Sequence, residues 1–211
     1  MIKLAFFDYS KTIIKGSGNG AIANFMGKGE EFDEIFENFV SNKISDEEFI
    51  SSAIGLWRGF DLERLLEIIE NVEPSENIQE VLKQLKNEGI KLALVSHIPQ
   101  QLADLYKEWG FDYTYGNECE VRNGKFTGKV LKINPDKGYM VKSLCDELTI
   151  KYEYCIAVGD SRADIGMFKV VGYDNSFAYN ANEEVKKYAK YHIKDFKEIV
   201  PIIKLQYLKS Q

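Results

Sequence analysis

Asp8, Ser96 and Asp160 stand where apolar stretches of this sequence stop, and with Asp164 and Lys137 their types suit a divalent cation and a phosphoryl group. Asp8 closes "KLAFFD", Ser96 closes "KLALVS", and Gly159-Asp160 follow "YCIAV", with Asp164 four residues on in "GDSRAD". Groups at the carboxyl ends of parallel strands converge on one crevice, however far apart they lie in the chain. Asp8, Asp160 and Asp164 brought together would repel one another unless a cation held them. An all-oxygen ligand set of this kind favours Mg2+, which keeps waters and phosphate oxygens as its remaining ligands. A carboxylate beside such an ion can act as a covalent nucleophile on phosphorus. Ser96 offers a hydroxyl to a phosphate oxygen, and Lys137 in "PDKG" offers a point charge ahead of a helix. Plainer roles exist for each: a turn former at Asp8, a solvated lysine at Lys137, a helix-dipole partner at Asp164 and local backbone bonding at Ser96.

These residues need elements to carry them. Lys3–Phe7, Lys91–Val95 and Tyr154–Val158 are continuous apolar runs, the pattern of strands buried on both faces, and Ser176–Tyr179 reads as a fourth. Strand-like and helix-like segments alternate, which predicts an α/β fold with a three-layer, Rossmann-like parallel sheet. The stretch between the first two strands is far longer than an ordinary crossover and is helical in pattern. Phe32, Ile35, Phe36, Phe39 and Val40 form one apolar stripe, and Ser45 with Glu48 has capping-box spacing. "DLERLLEIIENV" supplies a third amphipathic helix, ending before Pro74. We expect a helical insert over residues 15–74, with its aromatics (Phe25, Phe32, Phe36, Phe39, Trp57, Phe60) mostly in a core and one or two of them facing substrate, and a main domain of residues 1–14 and 75–211. Further helices are expected over Ser75–Glu88 (closed by Gly89), Gly138–Leu148 and Asn182–Tyr191, with a hairpin turn at Asn123-Gly124. "GSGNGA" from Gly16 loosely fits a dinucleotide fingerprint, but it begins well beyond the strand-to-helix turn. A hinge into the insert explains its glycines better.

Composition narrows the partners. The 211 residues are 45% hydrophobic and 28% charged, enough for one soluble domain with a sizeable insertion. With 27 Lys and Arg against 33 Asp and Glu the net charge is −6, which argues against nucleic acid. One small phosphorylated ligand needs only one or two cations and a metal. Cys119, Cys145 and Cys155 include no CxxC pair and are odd in number, so buried free thiols are expected. No apolar run approaches membrane-spanning length, and "MIKLAFFD" is too short for a signal segment. We expect a cytoplasmic protein, monomer or homodimer, with no nucleic-acid or membrane partner.

In their order along the chain, the motifs resemble those of the haloacid dehalogenase-like superfamily of aspartate-based phosphohydrolases, in its phosphoserine phosphatase branch. The aspartate-x-aspartate-x-threonine motif appears as Asp8-Tyr9-Ser10-Lys11-Thr12, and the strand ending in serine as "LALVS" with Ser96. The basic motif matches Lys137, and the glycine-aspartate motif matches Gly159-Asp160 with Asp164. The helical insert corresponds to the family's small cap. The resemblance implies that Asp8 becomes an aspartyl phosphate, and that Asp8, the Ser10 carbonyl and Asp160 ligate Mg2+ with support from Asp164. It also implies that Ser96, the adjoining His97 and Lys137 hold the phosphoryl group of a small phosphorylated substrate.

The departures shape the expectation. Hydrolysing members usually carry a second aspartate two residues after the nucleophile, as general acid and base, where this chain has Ser10. Losing such a group costs roughly 10²–10⁴ in rate. Ion-pumping ATPases of the family also have a hydroxyl residue there and a longer-lived aspartyl phosphate. Ala163 stands where phosphoserine phosphatases usually have asparagine, and Arg58 is out of register for gripping a serine carboxylate. A slow phosphatase of another substrate is therefore expected, with a degenerate relative that only binds a phosphorylated ligand as the alternative. Lys11, Lys15 and Lys28 read as solvated, and His97 and His192 lack metal-ligand spacing. A more distant alternative is an esterase with Ser161 as nucleophile and Asp174 and His192 completing a triad, since "GDSRA" approximates a nucleophile elbow.

Overall fold

Successive residues of the central strand face two different helical layers, as expected of a strand buried on both sides. A computed structural model describes residues 1–134 and 136–209, without the side chains of residues 66, 69, 70 and 206–209. Pro135 of "PDKG" and the end of the expected 75–211 segment lie outside the described residues. The strands are β1 (Leu4–Phe7), β2 (Lys91–Pro99), β3 (Tyr113–Arg122), β4 (Lys125–Lys132), β5 (Cys155–Gly159), β6 (Ser176–Tyr179) and β7 (Tyr191–Ile193). They form one sheet in the order β4-β3-β2-β1-β5-β6-β7. The helices are α1 (Gly18–Phe25), α2 (Gly29–Val40), α3 (Asp46–Gly55), α4 (Leu65–Asn71), α5 (Ile78–Asn87), α6 (Gln100–Leu105), α7 (Lys137–Leu148), α8 (Ile165–Val171), α9 (Glu183–Lys186) and α10 (Ile199–Lys209). Ala5 and Phe7 pack with α5, α6 and α10, whereas Leu4 and Phe6 pack with α7, α8 and α9. The three expected layers are present. Among the described residues no helix is long and apolar enough to cross a membrane.

Register positions the chemistry. β1 lies between β2 and β5, with Phe7 level with Leu94 on one side and Val158 on the other. Asp8 therefore emerges between the stretches that carry Ser96 and Asp160. All pairings are parallel except that of β3 with β4, the hairpin expected at Asn123-Gly124, whose two residues have φ of 50° and 73°. Positive φ at both central positions is the turn that matches strand twist.

Some elements differ from the sequence pattern. β2 continues to Pro99 because its ladder to β3 shifts register after Val95, so Ser96 sits inside the strand. The helix expected from Ser75 starts at Ile78, since Asn77 has a left-handed φ of 63°. The helix expected over Asn182–Tyr191 is only the single turn α9, because Tyr191 and Ile193 pair with Phe177 and Tyr179 as an edge strand. The third helix of the insert opens with a 3₁₀ turn, Leu62–Arg64, before α4. The capping box at Ser45 and Glu48 is formed. All three cysteines are buried and free.

The chain enters and leaves the helical segment through paired backbone: the Lys15 amide donates to the Glu73 carbonyl at 2.8 Å and the Ser75 amide to Ile13 at 3.0 Å. The β3–β4 hairpin reaches over to the same segment. Gly59 donates to Phe126 at 2.8 Å, Phe126 donates to Phe60 at 2.9 Å, and the Trp57 and Phe126 rings meet edge to face. Of the aromatics expected in a core, Phe32, Trp57 and Phe60 are buried, but Phe25 is 46% exposed and Phe36 and Phe39 are only half-buried. On α2 Phe32 joins a core, while Phe36 and Phe39 line a cavity, in keeping with one or two of these aromatics facing substrate. "GSGNGA" is not a phosphate-binding turn: Ser17 caps α1 and accepts from Gly20 at 3.2 Å, while Gly18 and Gly20 lie against Tyr9 and Phe32.

A close approach of α7 and α8 sets the start of α7. A Cβ on Gly138 would lie 2.7 Å from the Gly166 carbonyl oxygen, while one on Gly55 in α3 would meet nothing within 4 Å. Gly138→Ala should cost about 1–3 kcal/mol by overpacking, whereas Gly55→Ala should be neutral or stabilise by up to about 1 kcal/mol. Urea unfolding of both variants checks this, and equal effects would contradict it.

Candidate active site

Lys137, the first residue of α7, is almost wholly buried, and its Nζ donates to Asp8 Oδ1 and, at 2.6 Å, to Asp164 Oδ1. Asp136 holds the helix start by accepting from the Tyr139 amide at 3.2 Å. The other oxygen of Asp8 accepts from the Thr12 hydroxyl at 3.0 Å. Asp164 Oδ2 accepts from the amides of Asp160 (3.0 Å) and Ser161 (2.9 Å) and from the Ser161 hydroxyl (3.1 Å). Gly159 is required by that folding back, because a Cβ there would stand 2.4 Å from the Asp164 carboxyl carbon. Asp8, Asp160 and Asp164 each bring a carboxylate oxygen within 4.8 Å of the others.

Charge is unbalanced here. Burial, then the charge of Asp164, lifts the Asp8 carboxyl from 3.8 to about 6 against the pull of Lys137. Burial, then Asp8 and Asp164, lifts Asp160 to about 8. Burial opposes the charge on Lys137, but Asp164 and Asp8 outweigh it and hold the ammonium protonated beyond its ordinary range. Three converging carboxylates against one ammonium are a donor set that fits a hard divalent cation.

Above this floor opens a cavity of about 470 Å³ lined by Asp8, Ser10, Ser96, His97, Lys137 and Asp160, and on its far side by residues of α2 and α3. All the candidate residues thus share one space except Asp164, which lies beneath it, bound to Lys137. Ser96 is buried, and the Ser10 hydroxyl accepts from the Gly18 amide at 3.3 Å. The His97 carbonyl accepts from Asn117 Nδ2 at 2.7 Å, and Asn117 Oδ1 accepts from the Asn134 amide at 2.9 Å. That buried asparagine pins the end of β2 to the approach of α7.

Several contributors were not anticipated. Thr12 was legible as part of a motif but not as the partner of Asp8. Asn117 has no local signal at all. Arg162, inside "GDSRAD", lies 3.6 Å from Asp46 and faces the Phe39 ring at 5.2 Å, joining the loop after β5 to α2 and α3. Lys11, expected to be merely solvated, lines the cavity with its Nζ 4.6 Å from the Phe36 ring centre. Lys28 is tied to the Leu56 carbonyl at 2.8 Å and Lys15 pairs with Glu73. Arg58 donates to the Thr127 carbonyl at 3.2 Å and is not in the cavity wall. The esterase reading fails. The Ser161 hydroxyl is spent on Asp164, Asp174 pairs with Lys190 at 2.6 Å, and His192 Nε2 sits against the Lys186 and Ala189 carbonyls.

The raised carboxyls set a pH dependence. The folded protein holds these protons more tightly than the unfolded chain, whose aspartates titrate near 3.8. Stability from this source is complete below that value and is lost as pH rises through about 6 and about 8. The melting temperature in chelator should fall between about pH 4 and about pH 8, and Asp160→Asn should flatten the upper part of the fall. A profile that rises over this range contradicts the assignment.

Known proteins resemble this chain along most of its length. The phosphoserine phosphatase of Methanocaldococcus jannaschii is 32% identical over 209 residues, covering 96% of this chain and 98% of that protein. That of Saccharomyces cerevisiae is 30% identical over 95% of this chain and 67% of its own length. The structure of a substrate-bound phosphoserine phosphatase complex superposes with a TM-score of 0.84 at 27% identity, covering 95% of this chain and 98% of that one. A phospho-aspartyl intermediate analogue of phosphoserine phosphatase gives 0.83 at 28% identity with the same coverage. The sequence profile of the haloacid dehalogenase-like hydrolases matches residues 5–169, and the chain belongs to that family.

Proposed function

We propose that this protein is a Mg2+-dependent phosphatase that acts on a small phosphorylated metabolite through an aspartyl phosphate on Asp8. The observation that carries the reading is the buried Asp8–Lys137–Asp164 array at the floor of a cavity that also holds Ser96 and Asp160. Asp8, the Ser10 carbonyl and Asp160 would hold the ion, with Asp164 behind them. Bound there, Mg2+ would draw charge from the phosphoryl oxygens. An Asp8 oxygen attacks phosphorus, the ester P–O bond breaks, and the leaving alkoxide takes its proton from water. Water then cleaves the aspartyl phosphate. Lys137 is a fixed positive charge facing the phosphoryl group, and the Ser96 and His97 segment offers it hydrogen bonds. Residues 15–74 act as a cap on a core of residues 1–14 and 75–211. We take the protein to work in the cytoplasm as a monomer or homodimer.

The binding-only alternative is disfavoured because nucleophile, ammonium and acidic cluster are all retained and packed together. Phosphoserine itself is a poor substrate candidate. Arg58 is turned to the hairpin, and Ala163 offers no amide to a substrate.

Ser10 is the weak point of the chemistry, since a hydroxyl bonded to the Gly18 amide neither protonates a leaving group nor activates water as a carboxylate does. Turnover of acetyl phosphate should require Mg2+ and vanish in Asp8→Asn, and absence of any turnover or burst would refute the phosphatase. Ser10→Asp should raise hydrolysis of alkyl phosphates by roughly 10²–10⁴ and shorten the lifetime of the aspartyl phosphate seen in burst kinetics. Unchanged rates would mean that another side chain already supplies the proton.

A further inference from the structure

The cavity wall opposite Asp8 has a chemistry that the phosphoryl site does not explain. Of the stripe on α2 only Phe32 is buried, while Ile35, Phe36 and Phe39 are half-buried and Val40 is 57% exposed. Phe36, Phe39, Val40 and Phe49 line the same cavity as Asp8, Ser96 and Lys137. An amphipathic helix normally spends its stripe on a core, and this one spends most of it on the space above the nucleophile.

The rings are also held in place. Phe39 stacks on Phe49 with centres 4.4 Å apart, and the Arg162 guanidinium faces it at 5.2 Å. Phe36 stacks on Phe32 at 6.1 Å, and Lys11 sits over it at 4.6 Å. Phe36 and Phe39 thus line the cavity as rings with fixed neighbours. Aromatic groups pair with one another edge to face or offset-stacked, and such pairs add to the gain from burying apolar surface. Lys11 and Arg162 belong to the two loops that carry Asp8 and Asp160, so ring wall and phosphoryl site are joined at a set spacing. Arg162 is already paired with Asp46 at 3.6 Å and is poorly placed to serve a substrate carboxylate. About 470 Å³ suits a small molecule, the range for such sites being roughly 300–1,000 Å³.

We propose that this cavity selects phosphate monoesters whose organic part is aromatic, seated against Phe36 and Phe39 while the phosphoryl group meets Asp8. The inference rests on the phosphatase reading and adds the substrate class to it. Ser10 agrees with it independently, because a phenolic leaving group departs without the proton that Ser10 does not supply.

Leaving-group chemistry and ring binding are separable by experiment. 2-Phenylethyl phosphate, O-phosphoserine and glycerol phosphate all release alkyl alcohols, so a difference among them reports binding. We expect kcat/KM for the phenylethyl ester to exceed both others by at least about tenfold, mainly through KM, the scale of discrimination that one apolar increment gives. Phe39→Ala should cut that preference at least about fivefold. Val40→Asn, at an exposed position where folding is not at stake, should lower it in the same direction. Equal kcat/KM for the three esters, or a preference unmoved in both variants, overturns the inference while acetyl phosphate turnover leaves the phosphatase standing. No turnover of acetyl phosphate removes both.

Discussion

One buried ammonium holds this site together. Lys137 has almost no contact with water, and its charge is sustained by Asp8 and Asp164. Burying three charges is unfavourable unless each is paired and hydrogen-bonded, and removing one partner leaves another stranded. The surrounding structure meets that demand at every end. Thr12 serves the second oxygen of Asp8, and two amides and a hydroxyl serve the second oxygen of Asp164. α7 must begin where the ammonium can reach both carboxylates, which Asp136 as cap and the approach of Gly138 to Gly166 secure. The result is a rigid anionic floor whose leftover negative charge is directed at the cavity.

Much of this was legible in the sequence for a physical reason. Apolar runs such as "KLALV" fix strands buried on both faces, and polar residues at their ends have nowhere to go except the crevice. Asp8, Ser96 and Asp160 were therefore readable without any contact information. Asn117 was not, because its work is to bridge two loops distant in sequence, and nothing in "YGNEC" marks it. The direction of the α2 stripe was also hidden. Periodicity tells that Phe32, Phe36 and Phe39 share a face, but not whether that face meets a core or a void. Tyr191 was misread because a three-residue edge strand is too short to express alternation against the helical residues before it.

The haloacid dehalogenase-like fold here separates two tasks by layer. Strand ends and the starts of α7 and α8 supply every charged group at the floor, while α2 and α3 supply the apolar wall. Arg162 and Lys11 cross between them, each placing a cation against a ring of the opposite layer. The same two loops carry Asp8 and Asp160, so wall and floor are tied through shared backbone.

The paired backbone at Lys15–Glu73 and Ile13–Ser75 has an evolutionary consequence. A segment whose two ends leave and return side by side is exchangeable: it can be shortened, lengthened or replaced while the strand that carries Asp8 keeps its course. The contacts with Lys11, Phe126, Thr127 and Arg162 would have to be matched by the newcomer. Lineages of this architecture can therefore change what they recognise by swapping a helical module, and leave the machinery of phosphoryl transfer inherited intact.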